Sequence, residues 1–109
     1  MALTYKILGQ AAPNADTDTD VYTVPANTQA VISTIVIANR DTTDATYRIA
    51  ARPAGATLAN EHYVAYDITV GASDSTGLTL GVTLNETDVL TVRSSTANVT
   101  FSIFGSEAT

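Results

Sequence analysis

The stretch Gln29–Asn39, QAVISTIVIAN, decides the fold. Val31, Ile32, Ile35, Val36 and Ile37 are β-branched, stiff at χ1 and suited to a pleated surface. Apolar residues fall on both parities of the run, with Ser33 and Thr34 as its only interruption. That pattern predicts a strand covered on both faces, by a second sheet of the same domain or by a neighbouring subunit. The Ala30–Ala38 core of the run is far shorter than the ~20 apolar residues a membrane-spanning helix needs.

Working outward, Arg40–Asp44 reads as a polar turn. Ala45–Arg52 then alternates, with Tyr47, Ile49 and Ala51 on one face and Thr46, Arg48 and Ala50 on the other, which predicts an antiparallel hairpin with the first run. Upstream, a strand over Val21–Val24 stops before Pro25, which has no ladder donor. An acidic loop, Gln10–Thr19, and a strand over Leu3–Leu8 closed by Gly9 precede it. Downstream, Pro53-Ala54-Gly55 ends the hairpin, and Ala56–Glu61 is a loop or a single helical turn. His62–Val70 alternates with Val64, Tyr66, Ile68 and Val70 inward. After the turn Gly71–Ser75, one strand carries Leu78, Leu80, Val82 and Leu84 on one face. The turn Asn85–Asp88 leads to a final hairpin, Val89–Ser94 with Val99–Phe104. No segment has a helical period of useful length, so parallel crossovers are excluded. The expectation is one all-β domain over residues 1–109, an antiparallel β-sandwich or jelly roll of about eight strands, with residues 1–20 forming a partly extended N-terminal strand and acidic loop.

Composition narrows the function. A chain of 109 residues supports one core without staples, and the absence of Cys excludes disulfides, thiolate metal sites and a Cys nucleophile. Eleven acidic residues against five basic ones give a net charge of −6, a poor match to nucleic acid, which is bound through Lys and Arg, or to an anionic membrane. The opening Met-Ala-Leu-Thr-Tyr-Lys lacks the charged-then-apolar pattern of a secretory signal.

No constellation carries catalysis. His62 is the single histidine, and Glu61 and Asp67 are its nearest acidic neighbours in sequence; it reads as an ordinary strand-edge residue. No serine sits in a Gly-x-Ser-x-Gly setting. Asp16-Thr17-Asp18-Thr19-Asp20 resembles the opening of a calcium loop, but Val21 and Asn27 stand where the loop needs Gly and Glu, so a solvated acidic loop is the reading. Asn85-Glu86-Thr87 and Asn98-Val99-Thr100 match glycosylation acceptors and read as turn residues. No catalytic, cofactor-binding or metal-ligating residue is therefore expected. The residues expected at an interface are Tyr22 and Tyr63, because tyrosine buries area and keeps a polar tip, and Arg40, Arg48 and Arg52, which form a small basic patch on an acidic protein.

The order of motifs resembles a family of small virion structural proteins of tailed bacteriophages, notably those of marine and cyanobacterial hosts. The residues that carry the resemblance are Lys6–Gln10, Val21–Pro25, Ile37–Arg40, Tyr47–Ala50, Leu58–Tyr63, Leu84–Leu90 and Phe101–Glu107, and they span nearly the whole chain. The resemblance implies a sandwich domain that decorates capsids or belongs to the tail, baseplate or fibre, made in the host bacterial cytoplasm and resident in the virion. It implies partners among the major capsid protein or other virion proteins, homo-oligomers of which a trimer is the expected form, and no catalytic residues, nucleic acid or membrane.

Overall fold

The structure is a computed structural model that describes residues 2–109. Nine strands build it: β1 (Leu3–Ala11), β2 (Thr19–Thr23), β3 (Gln29–Asn39), β4 (Ala45–Arg52), β5 (Tyr63–Val70), β6 (Ser75–Leu78), β7 (Val82–Leu84), β8 (Val89–Ser94) and β9 (Val99–Ala108). Two 3₁₀ turns, Pro53–Gly55 and Asn60–His62, join β4 to β5. The strands form two antiparallel sheets. One has the order β1-β9-β3-β6, with β7 also on β3; the other runs β2-β8-β4-β5. Here they are called the first and second sheets.

The pairing has a simple logic. With β6 and β7 taken as halves of one strand along β3, the first strand pairs with the last, the second with the next to last, and so on inward to β4 with β5. A single long antiparallel ribbon is thus rolled up, and β9 on β3 and β8 on β4 close the roll. This is the jelly-roll form of the sandwich expected from the sequence. The core lies between the sheets, where Ile32, Ile35, Ile37, Phe101 and Ile103 meet Tyr47, Ile49, Leu90 and Val92. Tyr47 and Phe101 pack edge to face across the gap, ring centroids 6.3 Å apart.

Neither expected hairpin forms: β3 and β4 lie in different sheets, as do β8 and β9, so each connection crosses the sandwich instead of pairing neighbours in sequence. Local phase shifts correct four further expectations. First, β3 is not covered on both faces. Ala30 and Ile32 point inward, then Ile35, Ile37 and Asn39, because Ser33 is an extra residue relative to β9 and shifts the alternation. The apparently two-sided apolar run is two one-sided segments out of phase, and Val31 is left 42% exposed on the outside. Second, β5 carries irregularities in its pairing with β4, and Asp67 takes a positive φ of 51°. Val70 is buried as expected, whereas Val64 and Tyr66 turn outward and Ile68, opposite Tyr47, lies half exposed at the sheet edge. Third, the strand expected through Leu78–Leu84 is broken: β6 and β7 pair with successive parts of β3, with Leu80 exposed and Gly81 at φ 61° between them. Fourth, β1 continues past Gly9 to Ala11, leaving a shorter acidic loop.

Two glycines are dictated by close approach. A Cβ on Gly105 would sit 2.0 Å from the Val31 carbonyl oxygen, beside the Ser33 shift, and one on Gly9 would sit 2.2 Å from the Val21 carbonyl oxygen, where β1 crosses β2. At the far end of β3, buried Asn39 donates from Nδ2 to the carbonyls of Thr43 (2.9 Å), Val70 and Gly71 and accepts from the Asp41 amide at 3.0 Å. One side chain thereby ties β3 to two turns.

Candidate interaction surface

The five residues expected at an interface occupy different environments. Tyr22, on β2, is only 8% exposed. Its hydroxyl donates to Glu107 on β9 at 2.5 Å, and Lys6 on β1 holds the other oxygen of that carboxylate at 2.9 Å. Burial first, then the Glu107 hydrogen bond and charge, push the Tyr22 phenol well above its ordinary value. The Tyr22 and Lys6 hydrogen bonds hold Glu107 below the usual carboxylate range. Tyr22 is thus a polar link between the two sheets, with its surface spent inside the molecule.

Arg48 and Arg52 lie on the outer face of the second sheet, as their even spacing on β4 requires. Arg48 donates from Nε to Asp67 at 2.7 Å and from a terminal nitrogen at 3.3 Å, and its guanidinium lies 4.2 Å from the centroid of the Tyr66 ring. The hydrogen bond from Arg48 holds Asp67 below the usual carboxylate range and raises the Arg48 guanidinium in turn. Arg52 donates to Thr91 at 3.0 Å, to the Ala56 carbonyl at 2.9 Å and to Asp20 at 2.9 Å. Arg40 does not join them. It leaves the end of β3 in the first sheet and donates to Thr100 at 3.0 Å and to the Ala97 carbonyl at 3.2 Å. Tyr63 opens β5 and stacks edge to face on Tyr66, centroids 4.9 Å apart.

The acidic loop has its own partners. Asp16 and Asp18 approach Arg93 at 3.9 and 3.6 Å, and Asp20 takes Arg52. Arg93 lies directly opposite Arg48, so these carboxylates and Asp67 offset two like charges side by side. Of the five cationic side chains, four thus sit within ion-pair distance of a carboxylate of the same chain, and Arg40 is spent on neutral oxygens. No free basic patch results.

His62 closes the Asn60–His62 turn and accepts the Ala59 amide on Nδ1 at 3.1 Å, a local turn bond. The described residues contain no group of three or more His, Cys, Asp or Glu side chains arranged to hold a metal ion. A notch between Arg48, Asp67, Arg93 and Asp16 holds about 20 Å³, room for about one water. Two open hollows of about 450 and 440 Å³ lie at the end of the first sheet, and the carboxylates on them, Glu86 and Asp88, bond to the backbone amides of Asn27, Ala54 and Asn85. These acids fix turns.

What the sequence reading missed is the outer face of the first sheet. Leu3, Tyr5 and Ile7 alternate along β1 and are 56, 80 and 51% exposed. Register places Tyr5 beside Ser106 and Val31, and Ile7 beside Phe104 and Thr34, so the three form one apolar strip with Val31 and Phe104. The Leu-x-Tyr-x-Ile alternation was the available signal, but nothing in it says which side of the sheet is solvent. A second exposed apolar group, Val64, Tyr66 and Ile68, lies on β5. No family model matches the chain, and no curated protein matches it either.

Proposed function

We propose that the chain is a bacteriophage virion structural protein, a capsid decoration subunit that stabilises the shell by contacts with coat proteins and performs no chemistry. The observation that carries this reading is where the surface chemistry lies. The cationic groups are engaged inside the chain, while a strip of exposed Leu3, Tyr5, Ile7 and Val31 with half-buried Phe104 lies on the outer face of the first sheet. Contiguous exposed apolar area of this kind marks sites of protein association. The jelly-roll fold hosts shell, lectin and enzyme functions alike and decides nothing by itself. The resemblance of the ordered sequence motifs to small phage virion proteins supplies the identity of the partner. The test is binding of the purified protein to capsids that lack it. The expected result is saturable attachment and a higher capsid unfolding temperature; no attachment at high micromolar concentration would contradict it.

A second reading, a tail, baseplate or fibre module that meets host-surface glycans, is favoured by the stacked Tyr63–Tyr66 pair beside exposed Val64. Immunogold labelling of virions separates the two readings by position, shell against tail.

A further inference from the structure

We propose that two copies of this chain associate through the free edge of β1, as an antiparallel pair with a two-fold axis through Tyr5, so that the first sheets of both copies become one continuous sheet. The inference does not depend on the virion reading, since it concerns the purified chain alone.

A sheet edge is a template for another strand unless it is blunted by bulges, breaks, covering segments or charged side chains, and the one charge on β1, Lys6, lies against Glu107 of the same chain. The sandwich has four edges, and three are blunted. The β6–β7 edge is broken at Leu80–Gly81, the β5 edge is kinked at Asp67, and β2 is five residues long with a register shift before Tyr22. On β1 the pairing with β9 is regular from Leu3 to Ile7 and shifts only beyond it. Every residue from Leu3 to Ile7 is exposed.

The hydrogen-bond phase of this edge is fixed. Ala2 and Thr109 exchange both amide–carbonyl bonds, at 2.8 and 2.9 Å. In an antiparallel ladder such pairs alternate with unbonded ones, so Thr4 and Lys6 also spend their amides on β9, and the backbone groups of Leu3, Tyr5 and Ile7 point out of the sheet. The groups a partner strand needs therefore belong to the three residues whose side chains are apolar.

Symmetry then selects the register. Directly opposed residues share a face, so a two-fold axis must pass through a residue facing its own copy. An axis at Lys6 opposes two like charges. An axis at Thr4 sets Leu3 against Tyr5 of the second copy and leaves the free groups of Ile7 outside the three-residue match. An axis at Tyr5 sets Leu3 against Ile7 of the second copy, Tyr5 against its own copy, and Lys6 against Thr4. It uses every outward backbone group from Leu3 to Ile7, about six ladder bonds, and buries the apolar residues against one another. Lys6 is compatible because its charge already lies against Glu107 at 2.9 Å. A trimer would need a head-to-tail contact, for which this self-complementary edge provides no counterpart.

The test is the mass of the purified full-length chain by sedimentation velocity across a micromolar-to-millimolar series. The expected result is a shift from 11.3 kDa to twice that mass. Tyr5→Pro removes the Tyr5 ring and an amide that faces away from β9 while sparing the amides bonded to β9, and it should raise the dimer dissociation constant more than tenfold with an unchanged β-sheet circular dichroism spectrum. If Tyr5→Pro fails to fold, oxidative cross-linking decides, because the chain has no native Cys: Tyr5→Cys should cross-link to itself and Thr4→Cys should not. Leu3→Lys should weaken association, and adding Ile7→Glu should restore it. A monomer at every concentration, a folded Tyr5→Pro variant that still dimerises, equal cross-linking at positions 4 and 5, or protection of this edge only when capsids are added would each overturn the proposal.

Discussion

β1 and β5 are both edge strands, both expose three large apolar side chains, and they differ in nearly everything else. On β1, Leu3, Tyr5 and Ile7 keep one phase on a straight ladder. On β5, Val64, Tyr66 and Ile68 fall on either side of a backbone irregularity at Asp67, and Arg48 from β4 clamps the kink through its carboxylate and the Tyr66 ring. Exposed apolar area is similar in kind at the two places. The lesson is that regularity of the backbone, more than hydrophobicity of the side chains, decides which edge can accept another strand.

The largest expected effect comes from attacking the support of the β1 edge. Gly105→Ala forces a Cβ against the Val31 carbonyl in the ribbon that carries β1, which no side-chain rotation relieves. A loss of about 3 kcal/mol is expected, read by urea unfolding. Replacing Tyr22 by Phe comes next. It leaves the shape of the core and removes the hydroxyl that donates to Glu107, and a cost of about 2 kcal/mol follows from losing a bond to a charged acceptor.

The same pair makes the β1 end of the sandwich sensitive to acid. Glu107 has a folded pKa below its ordinary 4.5, so its contribution is complete above that value and disappears as pH falls through the lower folded one. Wild-type unfolding temperature should therefore drop more between pH 6 and pH 3 than that of Tyr22→Phe, in which the main cause of the depression is gone. On β5 the expected effect is the smallest. Asp67→Gly loses an exposed ion pair but relieves a positive φ, and the unfolding temperature should change by less than about 3 °C. A drop as large as that of Gly105→Ala would show that the kink holds the second sheet together and would erase the contrast between the edges.

Much of this was legible in the sequence, and the reasons are local. β3 and β4 have the predicted bounds, Gln29–Asn39 and Ala45–Arg52, because apolar runs between polar turns mark their ends strongly. The all-β sandwich follows from the same pattern repeated along the chain. The phase changes at Ser33 and near Asp67 were not legible, because an inserted residue in a ladder leaves no compositional mark; Gly81 carried a signal for the break between β6 and β7, but the alternation of Leu78, Leu80, Val82 and Leu84 read as one strand through it. The candidate site was read less well. Spacing placed Arg48 and Arg52 on one face, but their carboxylate partners, Asp67 and Asp20, arrive from other strands. Tyr22 and Tyr5 are the same residue type in similar alternating segments, and only the rolled topology puts one between the sheets and the other outside, 8% against 80% exposed.

Amide hydrogen exchange as a function of protein concentration tests the contrast between the two edges most directly. The amides of Leu3, Tyr5 and Ile7 should exchange fast in dilute solution and slow at least tenfold as concentration rises, while the free amides of β5 stay fast throughout. Fast exchange at those three positions at every concentration, or slowing that appears on β5 instead, would contradict the assignment of β1 as the edge that recruits a second copy.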